Sequence, residues 1–205
     1  MPRQPMIVGN PVVLVIDIQK GGFLDGYDVG IPKMAGWRAN MARARQVIDA
    51  ARDTGVPLIF FQEAHRPDLI DFGRELDGAE GVHCVEGREG TEIAVEETGY
   101  RPGEDYFIRK RRYSCFFGTE LEILLKGLKA QTLILIGGLT DVCCHYTFAD
   151  GHQHDYHCRI VGDAVGGSSD EAHAASLRAM EYLQEGAVRS AADIAAGLAA
   201  LKAAA

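Results

Sequence analysis

Val12 to Ile16 reads VVLVI, five consecutive apolar residues with no polar interruption. So short an unbroken run suits a strand covered on both faces, because a strand with one wet face alternates apolar and polar positions. Three more runs of this kind follow, at Pro57 to Phe61, Thr132 to Ile136 and Cys158 to Val161. Between and after them, apolar positions recur at helical spacing over Asn40 to Arg52, Glu120 to Lys129, Val142 to about His154 and Asp170 to Gln184. Alternating strands and helices predict an α/β fold: a doubly wound, mostly parallel sheet with helices on both faces, a Rossmann-like three-layer sandwich. Ala187 to Ser190 reads as a last short strand and Ala191 to Ala205 as an alanine-rich closing helix. Glu63 to Gly103 breaks the pattern. It is rich in Gly, Glu, Asp and Arg with little periodicity, and predicts a long excursion over one edge of the sheet, a kind of segment that is usually functional.

At 205 residues the chain suits one well-buried core, and neither a repeat nor a linker divides it, so a single domain over residues 1–205 is expected. No stretch approaches the roughly 18 consecutive apolar residues of a membrane span. The opening MPRQPMIVGN lacks the apolar segment of a secretory signal, so a soluble, cytoplasmic protein is expected. The net charge of -8, from 29 acidic and 21 basic residues, argues against nucleic acid or an anionic membrane as partner. Cys84, Cys115, Cys143, Cys144 and Cys158 are odd in number and irregular in spacing, which argues against a disulfide framework. They are either inert core residues or include one active thiol.

In an open α/β sheet, ligands bind outside the carboxyl ends of the strands. Three chemically capable residues fall there. Asp17 follows VVLVI and needs a partner if buried; it serves either as a turn residue or as a general base with a raised pKa. Cys143 follows TLILIGG, where Thr140 or Asp141 can cap a helix begun by Val142 and Cys143. A thiol in that first turn would sit beside unpaired N–H groups, which favour thiolate and can hold an oxyanion. A pair of buried packing cysteines fits the same spacing, and geometry alone does not choose between Cys143 and Cys144. Lys110, after Tyr106-Phe107-Ile108, is either a counter-charge for Asp17 or one member of a solvated basic run, Arg109 to Arg112. No G-x-G-x-x-G follows the first strand, which sets aside a dinucleotide-binding oxidoreductase.

The segments VVLVIDIQKGGF, FIRKRRYSCFFGTEL and IGGLTDVCCHYTFADG, in this order and separation, resemble the three signature segments of the isochorismatase-like cysteine hydrolase superfamily. The resemblance runs from about Val12 to Met180. It implies Asp17 as base, Lys110 as orienting cation and Cys143, directly after Thr140-Asp141-Val142, as nucleophile, leaving Cys144 as a packing residue. It also implies a cis peptide at Gly138–Leu139 and an oxyanion hole from the Leu139 and Cys143 N–H groups. The expected activity is cysteine-dependent hydrolysis of a C–N bond in a small amide through a thioester, preferably in an N-carbamoyl, ureido or biuret-like compound. A nicotinamidase-type or lactam hydrolase and a non-catalytic binding member are the alternatives. Candidate substrate-binding residues are Gln19, Phe23, His65, Tyr113 and Phe116. Nicotinamidases of this superfamily hold a divalent metal through a D-x-H pair and two further histidines. Here Glu63-Ala64-His65 substitutes glutamate, and Asp71 stands in the place of one histidine, before His83. No metal is therefore expected, with zinc or a similar ion on Glu63, His65, Asp71 and His83 as the alternative. The superfamily's habit implies a homo-oligomer, dimer or tetramer, and a small-molecule amide as the partner.

Overall fold

The computed structural model describes residues 5–204. The first four residues of the opening segment and the expected end of the closing helix at Ala205 lie outside the described residues. Six strands form one sheet: β1 (Asn10–Ile16), β2 (Leu58–Glu63), β3 (Tyr106–Lys110), β4 (Ala130–Gly138), β5 (His157–Gly166) and β6 (Val188–Arg189). Their order is β3-β2-β1-β4-β5-β6, and every neighbouring pair is parallel. The helices are α1 (Trp37–Thr54), the single turn α2 (Val95–Thr98), α3 (Leu121–Gly127), α4 (Cys143–Gln153), α5 (Asp170–Leu183) and α6 (Ala191–Ala204).

The unbroken apolar runs are explained by two cores, one on each face. Val13, Val15, Phe60, Ile134 and Ile136 pack against Met41, Ala44, Val47 and Ile48 of α1 and Ile194 and Leu198 of α6. Val12, Leu14, Ile16, Ile59, Phe61, Leu133 and Leu135 face the other way, toward Leu121, Leu125, Phe148 and Met180 of α3, α4 and α5. Because successive strand residues point to opposite faces, both sets must be apolar when both faces are covered. Helix α1 starts three residues before its apolar spacing predicts, since Trp37 is drawn against Gly138 and Gly166 at the ends of β4 and β5.

Two features place the site. The chain builds outward from β1 through β2 to β3, then crosses to the other side of β1 for β4, so the strand order reverses between β1 and β4. That reversal leaves a crevice at the carboxyl ends of these two strands. The segment between β2 and β3 then covers it. Rather than passing over one edge, as its composition predicts, it folds across the strand ends: Lys20 N–H donates to Glu92 O at 2.8 Å and Ala94 N–H to Ile18 O at 3.0 Å. Short bridges pair Gln19 with Ile93 and His65 with Val85. Among the described residues no helix is long and apolar enough to cross a membrane.

Phe60 is fully buried between the sheet and α1. Phe60→Ala should lower unfolding free energy by about 3–5 kcal/mol, read as a shift in the urea midpoint without a change of slope.

Candidate active site

Four strand ends supply the polar centre. Asp17 follows β1 with a φ of 51°, a left-handed conformation rare for a residue with a Cβ. Glu63 closes β2 and Lys110 closes β3, and the two are direct register partners. Cys143 is the first residue of α4, after the corner Leu139 to Val142 that follows β4. Within the basic run only strand alternation distinguishes Lys110: in β3, Arg109 faces out while Ile108 and Lys110 face in. The neighbours hold the covering segment, Arg109 donating to Glu86 Oε1 at 3.1 Å and Arg111 to Ala64 O.

The Lys110 ammonium is buried at the centre. Its Nζ lies 2.8 Å from Asp17 Oδ2 and 2.5 Å from Glu63 Oε2, and it donates to Cys143 Sγ at 3.5 Å. The thiol in turn donates to Glu63 Oε2 at 3.3 Å. Burial drives Asp17 upward against the pull of Lys110, to about 6. Burial also raises Glu63, but the Lys110 charge and the adjacent imidazoles of His65 and His83 outweigh it and hold this carboxyl well below its usual range. Lys110 would be lowered by burial alone; Asp17, Cys143 and Glu63 more than reverse this and keep it charged. Burial pushes the Cys143 thiol well above its ordinary value, with Lys110 opposing. The expectation of a resting thiolate is thereby corrected: the helix start does not offset removal of the sulfur from water beside two carboxylates.

Thr140 and Asp141 do not cap α4. The N-cap position is Val142, without a side-chain cap. Asp141 instead accepts from Ser168 N–H at 2.8 Å and Ser168 Oγ at 2.5 Å, and Thr140 Oγ1 pairs with His173 Nδ1 at 2.9 Å. Asp141 thus ties the corner before Cys143 to the loop after β5, and Thr140 ties it to the first turn of α5. The Gly138–Leu139 peptide is cis. The N–H groups of Thr140, Val142 and Cys144 donate to backbone carbonyls. Those of Leu139, Asp141 and Cys143 have no backbone acceptor among the described residues, and of these three Leu139 and Cys143 line the cavity.

The crevice is a cavity of about 780 Å³ including its open mouth, and Asp17, Glu63, Leu139 and Cys143 stand on its wall. Of the expected substrate-binding residues, Gln19 and Tyr113 line it. Gln19 is committed to the frame, its Nε2 donating to Glu63 O at 3.0 Å and Thr91 O at 2.6 Å. Tyr113 donates to Glu80 Oε2 at 2.8 Å. The other three are corrected. Phe23 packs against the core under α1, Phe116 stacks on His154 with ring centres 5.0 Å apart, and His65 lies behind Glu63, stacked on Phe72 at 3.9 Å.

Behind Glu63 lies a second cluster. Glu63, His65, Glu75 and His83 are all buried, and each offers a donor atom within 4.8 Å of the others. The expected member Asp71 is replaced by Glu75: Asp71 sits at the opposite ring nitrogen of His65, 3.6 Å from Nδ1, where it accepts from Arg66 N–H at 3.0 Å. Sequence reasoning missed Glu75, whose spacing gives no sign of it. It also saw Glu63 only as a metal ligand. The argument applied to Asp17, a carboxylate ending a buried apolar run, fits LIFFQE equally and would have placed Glu63 beside Lys110.

A doubly wound parallel sheet with a thiol, an ammonium and two carboxylates gathered at its switch point defines the class of protein. Residues 11–193 match the family model described as the isochorismatase domain, and the chain belongs to the isochorismatase family. It is 30% identical over 203 residues to a ureidoacrylate amidohydrolase, RutB, of Methylorubrum extorquens, covering 87% of this chain and 75% of that protein. A cysteine hydrolase from Pseudomonas syringae pv. phaseolicola shares the fold with a TM-score of 0.84, at 22% identity and 98% coverage of each chain. The N-carbamoylsarcosine amidase from Thermoplasma acidophilum superposes with a TM-score of 0.73 at 25% identity, covering 89% of this chain and 97% of that one.

Lys110 carries the balance of the buried charges. Lys110→Met leaves two carboxylates without their shared cation and should destabilise the fold by about 3–5 kcal/mol, measured by urea denaturation. Glu63→Gln, which keeps its shape and removes one charge, should cost less than Lys110→Met.

Proposed function

We propose that this chain is a cysteine-dependent amidohydrolase that cleaves a C–N bond of a small N-carbamoyl, ureido or biuret-like compound. One observation carries the reading: the Cys143 sulfur lies 3.5 Å from Lys110 Nζ, and Leu139 and Cys143, whose N–H groups have no backbone acceptor among the described residues, line one cavity. The names of the relatives, ureidoacrylate amidohydrolase and N-carbamoylsarcosine amidase, support the choice of substrate class.

In the proposed sequence the thiol proton passes to Asp17 as sulfur adds to the substrate carbonyl. Negative charge moves to the carbonyl oxygen, where the Leu139 and Cys143 N–H groups receive it. Collapse expels ammonia or an amine, which takes the proton from Asp17, and leaves a thioester, or a thiocarbamate when the substrate is a ureide. Water, giving a proton to the same carboxylate, releases the acid and restores the thiol. Lys110 stays charged throughout and stabilises the anion wherever it resides. Glu63 is a positioning residue, holding Lys110 and the thiol from the side opposite Asp17. We further propose a cytoplasmic homo-oligomer, dimer or tetramer. The cysteine count supports the compartment, and exposed Phe117, Ile123 and Tyr182 offer apolar surface for assembly.

A second reading, metal-dependent hydrolysis of the nicotinamidase type, is favoured by a separate observation. Both ring nitrogens of His65 and both carboxylate oxygens of Glu75 are buried without a hydrogen bond among the described residues, although Nε2 and Oε2 lie 3.1 Å apart. Two imidazoles and two carboxylates fit zinc, manganese or iron, and Glu63, His65, Glu75 and His83 would hold it. A bound ion would supply positive potential beside Glu63. Without one, burial lowers His65 but the close carboxylates of Glu63 and Glu75 prevail, raising it to about 9, so a proton fills the same role.

Ammonia release from a panel of ureides and amides, with nicotinamide and biuret among them, tests the first reading. Cys143→Ala should lower turnover by more than about a thousandfold with unchanged circular dichroism; substantial residual activity refutes the assignment. Because Asp17 must be ionised to accept the proton, kcat/KM should rise with pH through about 6. Elemental analysis tests the second reading. It expects one metal ion per chain in wild type and Cys143→Ala, lost in His65→Ala; metal-free wild-type protein that takes up no zinc on titration would reject it.

A further inference from the structure

Trp37 is the only tryptophan of the chain. It lines the cavity and is 8% exposed, yet its Nε1 is buried with no hydrogen-bond partner among the described residues. The ring spans two landmarks. A Cβ at Gly138 would stand 2.5 Å from its benzo carbons, and a Cβ at Gly22 would stand 2.8 Å from Nε1. One end of the indole therefore touches the Gly138–Leu139 corner, where a free N–H lies, and the other presents an unmatched donor at the turn of Gly22.

Lys33 reaches the same turn. Its Nζ is 3.4 Å from Gly22 O, lines the cavity, and forms no ion pair among the described residues. Arg88 also lines the cavity without an ion pair. Its turn, closed by Thr91 N–H to Arg88 O at 3.0 Å, leads into Gly90, whose carbonyl stands 3.1 Å from where a Gly21 Cβ would be. Around them the wall is apolar, with Val29, Ile31, Val82 and Val142. The two acidic residues near the mouth are occupied: Asp28 accepts from Gly30 N–H at 2.9 Å and Glu80 from Tyr113 at 2.8 Å.

A buried N–H left unmatched costs free energy that a bound acceptor removes. A cation without a carboxylate partner, in a chain of net charge -8, asks for an anion. Both stand at one turn, an indole's length from the oxyanion donors, so one small molecule can meet both while its carbonyl faces Cys143. We infer that Trp37 Nε1 and Lys33 Nζ bind the carboxylate of an N-carbamoyl amino acid, with Arg88 as the outer cation. This rests on the ureido reading proposed above and adds the group that selects among ureides.

Cys143→Ala protein, which binds without turnover, is titrated with a series of N-carbamoyl amino acids and their methyl esters, followed by Trp37 emission and by calorimetry. The acid of the preferred pair should perturb the emission and bind at least about tenfold more tightly than its ester. Lys33→Gln should reduce that preference about tenfold. Trp37→Phe, which keeps the ring packing and is read by calorimetry, should do the same. Acids binding no better than esters throughout the series would overturn the inference, as would variants that weaken acid and ester equally. If wild type releases no ammonia from any ureide, the reaction reading fails, whereas a carboxylate preference dependent on Trp37 and Lys33 would still uphold this subsite.

Discussion

An ammonium ion has been taken out of water at the carboxyl end of a parallel sheet, and the arrangement around it follows from that burden. Lys110 is 1% exposed. Removing such an ion from solvent costs several kcal/mol, and attraction to partners offsets the cost only when geometry is good and every proton is met. Here Nζ meets Asp17, Glu63, the Arg112 carbonyl at 3.1 Å and the Cys143 sulfur. Two carboxylates for one cation leave an excess negative charge. Burial raises Asp17 most and the nearby Glu63 charge adds to it, while Lys110 and two imidazoles hold Glu63 strongly acidic, so the two acids diverge.

The sheet makes this charge cluster possible. Parallel strands all end on one side, so residues at positions 17, 63, 110 and 143, far apart in sequence, converge without any loop having to find them. The left-handed turn at Asp17 and the tight Gly137 corner with a φ of 113° bring the ends of β1 and β4 close. A Cβ at Gly137 would stand 2.0 Å from the Ile16 carbonyl oxygen. Glycine at that position is a condition of the site, because any side chain would separate the carboxylate from the thiol.

Legibility followed this division between local and distant causes. The strands and most helices are written in local periodicity, and Asp17, Lys110 and Cys143 stand at strand ends that the periodicity marks. Motif resemblance, not periodicity, separated Cys143 from Cys144. Glu63 was equally visible but was read for its spacing to His65, when its place after LIFFQE was the stronger signal. Glu75, Trp37 and Lys33 were not legible. Each matters through a contact made by an irregular segment, and such a segment carries no period from which its course can be inferred. The helix-cap reading of Thr140 and Asp141 failed for a related reason. Their side chains had competing partners, Ser168 in the loop after β5 and His173 in α5, that only tertiary structure supplies.

The same charge surplus bears on how a buried thiol can act as a nucleophile. At rest the sulfur is protonated, since a third anion beside Asp17 and Glu63 would be poorly tolerated. In the proposed mechanism attack does not require that anion to persist: as sulfur bonds to carbon, charge would leave for the carbonyl oxygen and the Leu139 and Cys143 N–H groups. The proton would go to Asp17, the acid whose raised pKa makes it the better acceptor of the two, and its neutralisation would relieve the repulsion with Glu63. Protonation of the base and dispersal of charge into the oxyanion site thus act together. A cluster that disfavours a thiolate would permit attack once a substrate carbonyl lies beside Leu139.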